Sequence, residues 1–98
     1  MFKVDLHTHS VASPDGGIST QQYRQLLEKG ILDTVAITDH NTAEFALALQ
    51  KELGKQIIVG EEIMTSHGEI IGLYLTATIP GGLSPLDTIR RIKDQGGL

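Results

Sequence analysis

The sequence predicts an α/β fold with the element order β-α-β-α-β-β-α, on three observations. Short β-branched apolar runs alternate with stretches of helical periodicity. Capping and helix-stopping residues mark the joints between them. The polar residues able to bind a metal gather where strands end, not along the chain at large. Strands alternating with helices imply parallel strands joined by helical crossovers, here over residues 2–60.

Phe2 to Leu6 reads as the first strand, ending in the polar run His7-Thr8-His9-Ser10. A loop with Pro14 and Gly16-Gly17 follows. Ser19 then reads as an N-cap, and Gln22 three residues on completes a capping box. The helix from Thr20 to Lys29 places Tyr23, Leu26 and Leu27 on one face, and Gly30 stops it. Thr34-Val35-Ala36-Ile37-Thr38 is a buried strand, apolar and bounded by polar residues. Asn41 with Glu44 reads as a second capping box, opening a helix through Phe45, Leu47, Leu49 and Leu53 that Gly54 closes. Gln56-Ile57-Ile58-Val59 is a third buried strand running into Gly60-Glu61-Glu62. A fourth runs from about Glu69 to Leu75, after a junction near Ser66. Gly81-Gly82 is a loop, Ser84 an N-cap and Pro85 a first-turn proline. The last helix reaches about Asp94, and Gly96-Gly97 stops it. Leu98 stands where a further strand would begin. Four parallel-type strands cannot close a barrel, so one edge stays open. Either the chain is a fragment of a larger domain or something else covers that edge, self-association among the possibilities.

Ninety-eight residues make one domain at most. Apolar residues at 40% and charged residues at 20% are too apolar for disorder and too mixed for a membrane protein. The absence of cysteine excludes a disulfide framework, a thiolate zinc site and a cysteine nucleophile, so any metal must be held by His and carboxylates. The formal charge is −4, and no basic block exceeds Arg90-Arg91. That is not the electrostatic footprint of a nucleic-acid binder. A phosphate-bearing substrate stays open, because bound cations reverse the local field. Met1-Phe2-Lys3-Val4-Asp5 lacks a signal-peptide layout, and the chain is expected in the cytoplasm.

The chemistry lies at the strand ends. His7 and His9 end the first strand, Asp39 and His40 the second, and Glu61 and Glu62 the third. In parallel α/β folds that edge is where sites are assembled. The two-residue strand period puts His7 and His9 on the same side. Each feature also has an ordinary explanation. His7-Thr8-His9 could be a polar loop, and Asp39-His40 a turn whose Asp settles nearby amides. Glu61-Glu62 could be a solvated strand end, and Asp15 a turn-former. Three of the four histidines at strand ends fit one cluster better than four coincidences; His67, before Gly68, reads as exposed and structurally neutral. Imidazole and oxygen donors without sulfur suit zinc, manganese or iron(II). Several carboxylates beside several histidines favour more than one ion, and two ions about 3.5–4 Å apart can clamp a phosphoester.

With these segments lined up, the chain resembles the PHP family (polymerase and histidinol phosphatase domains). The matching residues are Asp5-Leu6-His7-Thr8-His9-Ser10, Ser13-Pro14-Asp15-Gly16 and Ala36-Ile37-Thr38-Asp39-His40-Asn41, then Gly60-Glu61-Glu62-Ile63 and Gly68-Glu69-Ile70-Ile71-Gly72-Leu73. The resemblance implies the N-terminal part of a distorted (β/α)7 barrel, a single partial domain over residues 1–98. It implies two or three divalent ions and the hydrolysis of a phosphomonoester or a nucleotide-type phosphodiester by metal-activated water. Residue by residue, it makes His7, His9, Asp15, His40 and Glu62 metal ligands, with Asp39 behind them orienting an imidazole through its free N–H. Glu61 is one position off and points the other way. Many members carry a histidine where this chain has Glu69; a carboxylate there can still bind metal, and His67 is the second choice. Members continue to a later histidine and a final Asp-x-His that nothing here supplies, so about half the domain and part of the site are expected to be missing. Ser10 and Thr8 lack the base and orienter that would make either a nucleophile. The alternative is a non-catalytic metal-binding or interaction segment. A nucleotide-binding α/β domain fits less well, since no Gly-rich phosphate loop follows the first strand.

Overall fold

The apolar runs become the strands of one curled sheet in a computed structural model that describes residues 1–98. The elements are β1 (Val4–Thr8), α1 (Thr20–Glu28), β2 (Thr34–Ile37), α2 (Glu44–Leu53), a short 3-10 turn (Gly54–Gln56), β3 (Ile57–Thr65), β4 (Gly68–Leu73) and α3 (Pro85–Asp94). The strand order is β1-β2-β3-β4. β1 runs parallel to β2, with Val4 opposite Thr34 and Thr8 opposite Ile37, and β2 parallel to β3, with Val35 opposite Ile57. β3 divides its pairing: residues 57–59 serve β2, and residues 60–65 serve β4. The result is a mixed α/β fold of four strands and three helices, compatible with part of an α/β barrel. No helix is long and apolar enough to cross a membrane.

One core joins the layers. Tyr23 and Leu27 of α1, Ala46 and Leu49 of α2 and Ile92 of α3 pack with Val35, Ile37, Ile57, Val59 and Ile63 of the sheet. Burying each large side chain there contributes about 1.5–3 kcal/mol. β1, the outer strand, is less covered, and Val4 and Leu6 are exposed.

Four expectations need correction. β4 is antiparallel to β3, because the two strands are joined by only Ser66 and His67, and so short a connection can only reverse the chain. Thr65 Oγ1 holds that turn, accepting from the His67 N–H at 3.1 Å and donating to the Gly68 carbonyl at 2.7 Å. β1 begins two residues later than expected and includes His7 and Thr8, the Thr8 carbonyl accepting the Thr38 N–H at 2.8 Å. β4 ends at Leu73, not Leu75, because Tyr74 turns the chain with a φ of 58°. The Ser19–Gln22 capping box forms, but the Asn41–Glu44 box does not. Ala43 starts α2, its N–H donating to Thr78 Oγ1, while the Glu44 N–H donates to Thr42 Oγ1. Asn41, in the left-handed region with a φ of 55°, turns to β3 instead.

Candidate metal centre

β1 and β2 end side by side, and β3 passes them at Glu62. His7 Nε2 and His9 Nε2 each lie 2.8 Å from the same Glu62 oxygen, Oε1. Ring centroids are 5.3 Å apart for His7 and His9, and 4.4 Å for His9 and His40. His40 Nδ1 stands 3.9 Å from Glu62 Oε2 and 3.5 Å from Glu69 Oε2. Asp15 reaches in from the loop after β1, its Oδ2 3.8 Å from His9 Nδ1. Ladder geometry sets this convergence. His40 bridges Glu62 in parallel register, with the Glu62 N–H donating to the Asp39 carbonyl at 2.8 Å and the Asn41 N–H to the Glu62 carbonyl at 3.0 Å. β4 then brings Glu69 beside Glu62, two residues from Glu62's own partner Ile71.

The donors form three overlapping sets, each with ligand atoms within 4.8 Å of one another: His7, His9 and Glu62; His9, Asp15 and His40; His40, Glu62 and Glu69. All six candidate ligands therefore sit on one rim. Three imidazoles and three carboxylates, with no sulfur, fit divalent ions of the zinc, manganese and iron(II) class. Burial pushes the Glu62 carboxyl up, but hydrogen bonds to Glu69, His9 and His7, with the His40 charge, outweigh it and hold the group at about 2. Glu69 is pushed up, chiefly by its hydrogen bond with Glu62. His67 lies outside the cluster, exposed on the hairpin turn with Nδ1 2.9 Å from Ser66 Oγ.

Asp39 does not orient an imidazole. Its buried carboxylate accepts the Ser10 N–H and the Ser13 hydroxyl at 2.7 Å and the Ser10 hydroxyl at 2.6 Å. That fastens the loop carrying Asp15 behind His9, a role for Ser10 and Ser13 that the sequence alone did not suggest. Both serines are buried under the loop, which keeps their hydroxyls away from any substrate even though each donates to a carboxylate. Gly17 completes the loop: Ile18 N–H donates to the His9 carbonyl at 2.9 Å, and any Cβ at 17 would collide with that carbonyl. Thr8, between the two histidines, faces α1 and meets the Tyr23 hydroxyl at 2.7 Å. Glu61 is fully buried, accepts the Ile79 N–H at 2.8 Å through Oε1 and has no partner for Oε2. Burial pushes its carboxyl up to about 7 against that hydrogen bond.

The family model described as PHP domain matches residues 5–89. Two uncharacterized proteins of Methanocaldococcus jannaschii are similar. One is 46% identical over 111 residues, covering 99% of this chain and 64% of its own length. The other is 38% identical over 103 residues, covering 99% of this chain and 37% of its own. The chain thus spans under two thirds of either relative.

Proposed function

The chain belongs to the PHP domain family, and from that premise we propose that its imidazole and carboxylate rim is a divalent-metal centre for phosphoester hydrolysis. The observation that carries this is the convergence of His7, His9 and His40 from the ends of β1 and β2 with Glu62 from the middle of β3 and Glu69 from the start of β4. In this proposal the sheet is the N-terminal part of a distorted (β/α)7 barrel, and the substrate is a small phosphate ester or a nucleotide. His7, His9 and Glu62 would hold one zinc, manganese or iron(II) ion. His9, Asp15 and His40, and His40, Glu62 and Glu69, would serve one or two more. Such ions supply Lewis acidity toward a phosphoryl group and an acidified water. The chain's own part is to fix the donors. Glu62, ionised at neutral pH, offers both oxygens across the cluster, and Asp39 holds the Asp15 loop against His9. Bound cations also reconcile a chain of net charge −4 with an anionic substrate.

The test is metal counting on the purified chain, together with hydrolysis of p-nitrophenyl phosphate in manganese. Two or more ions per chain are expected, and His9→Ala should lower turnover at least tenfold with no recovery on added metal. A chain that retains no ion, or a His9→Ala protein that turns over normally, overturns the proposal. The exposed β1 edge favours a second possibility, a non-catalytic interaction segment. One ion or none per chain, in a self-associated protein without turnover, is its expected signature.

A further inference from the structure

We propose that Asn41 is the positioning residue that fixes the His40 imidazole relative to the Glu62 carboxylate, its side-chain amide standing in for a backbone rung of the sheet. This rests on the metal centre proposed above, and it concerns how that centre is held. In a regular parallel ladder the Glu62 N–H bonds residue 39, the residue 41 N–H bonds Glu62, and the next N–H on β3, that of Met64, bonds the carbonyl of residue 41. The first two rungs are present, at 2.8 Å and 3.0 Å. The third is displaced. Asn41 leaves the strand with a φ of 55°, and its side-chain Oδ1 accepts the Met64 N–H at 2.9 Å. Asn is among the few residues that combine tolerance of this conformation with an acceptor able to reach back locally. The chain can therefore turn toward α2 directly after His40 without releasing the strand that carries Glu62.

The Met64 carbonyl is held on the same edge, accepting the Gly82 N–H at 2.8 Å. Gly81 then packs on the Asn41 amide: a Cβ there would lie 2.9 Å from Oδ1 and 3.1 Å from Cγ. No left-handed backbone requires glycine at 81, so space against Asn41 accounts for it. Asn41 and the 81–82 loop thus take up both backbone groups of Met64 from one edge, two residues beyond the glutamate that every imidazole of the cluster faces.

The experiment compares Asn41→Asp, which keeps an oxygen at the same place, with Asn41→Gly, which allows the backbone but removes that oxygen. Gly81→Ala displaces the amide without altering residue 41. Two readouts are taken: amide hydrogen exchange at Met64 in metal-free protein, and Mn²⁺ affinity by calorimetry, with His9→Ala as the reference for loss of the cluster. Asn41→Gly and Gly81→Ala should each speed Met64 exchange and weaken Mn²⁺ binding, about tenfold by analogy with other residues that orient ligands. Asn41→Asp should stay within about threefold of wild type in both, a rescue that a general loss of stability would not produce. Unchanged Met64 protection in Asn41→Gly overturns the inference, as does Mn²⁺ affinity equal to wild type while His9→Ala abolishes binding. If wild-type protein binds no Mn²⁺, the metal centre itself fails, and Met64 exchange alone then decides the role of Asn41 in the ladder.

Discussion

The two faces of β3 at Glu61 and Glu62 put the same side chain into opposite surroundings. Glu62 looks onto the rim, where three imidazoles and Glu69 approach it, and it is held ionised at about 2. Glu61 looks into the interior, where one N–H donor, from Ile79, answers two oxygens and burial lifts it to about 7. One step along a strand exchanges the two faces, so one position decides whether a carboxylate meets converging donors or a dry wall. The number of partners matters more than depth: both residues are buried, yet their ionisation moves in opposite directions.

The sharpest way to break the comparison is to exchange the charge on one face at a time. Glu62→Gln should weaken manganese binding more than a hundredfold, beyond the 10–100-fold typical of residues behind the ligands. Glu61→Gln, whose oxygen still accepts from Ile79, should stay within about threefold. Calorimetric titration of both variants checks this, and similar losses in the two would mean that the rim does not distinguish these faces.

That the ends of β1 and β2 carry part of the chemistry was legible, and His7 and His9 do meet one Glu62 oxygen as the strand period suggests. Glu61-Glu62, however, do not end the third strand, which runs on to Thr65 because it pairs there with β4. The limits of β1 were not legible either. His7 and Thr8 are polar for reasons of site and helix contact, so a hydrophobic pattern stops at Leu6 while the ladder runs to Thr8. Strand direction was also hidden, since the apolar run Ile70-Ile71 looks the same either way. Asn41 shows a different difficulty. Asn favours both helix N-caps and left-handed turns, and its deciding partner, Met64, lies 23 residues away. Asp39 was placed near the site, but its serine partners, 29 and 26 residues away, could not be chosen from local spacing.

The same two glutamates should divide the pH dependence of stability in metal-free protein. Between 4.5 and 7 the folded chain holds a proton on Glu61 that the unfolded chain releases. Stability therefore falls as pH rises through that window, by about 3 kcal/mol in all, at about 1.4 kcal/mol for each pH unit crossed. Glu62 acts with the opposite sign: its contribution is present above 4.5 and is lost as pH falls from 4.5 toward 2. Denaturant titrations at pH 4.5 and pH 8, in chelator, should show Glu61→Gln flattening the upper arm. An upper arm as steep as wild type would place the responsible proton elsewhere.

The smallest expected effect tests the opposite side of β1. Thr8 stands between the two histidines but faces away from them. Its hydroxyl donates to the Ala36 carbonyl at 2.7 Å, which leaves it an acceptor for the Tyr23 O–H. Burial pushes the Tyr23 phenol up to about 12, although the Thr8 hydrogen bond lowers it, so the phenol keeps the proton it donates. Tyr23→Phe removes that donor and leaves Thr8 its other partner, so unfolding should cost about 1 kcal/mol less, the net worth of one such bond. Manganese affinity should stay within about twofold, because nothing on the helix side of β1 touches the imidazoles. A tenfold loss of affinity at unchanged stability would mean that α1 sets the aim of His7 and His9 through Thr8, and that the two sides of the strand are coupled and not independent.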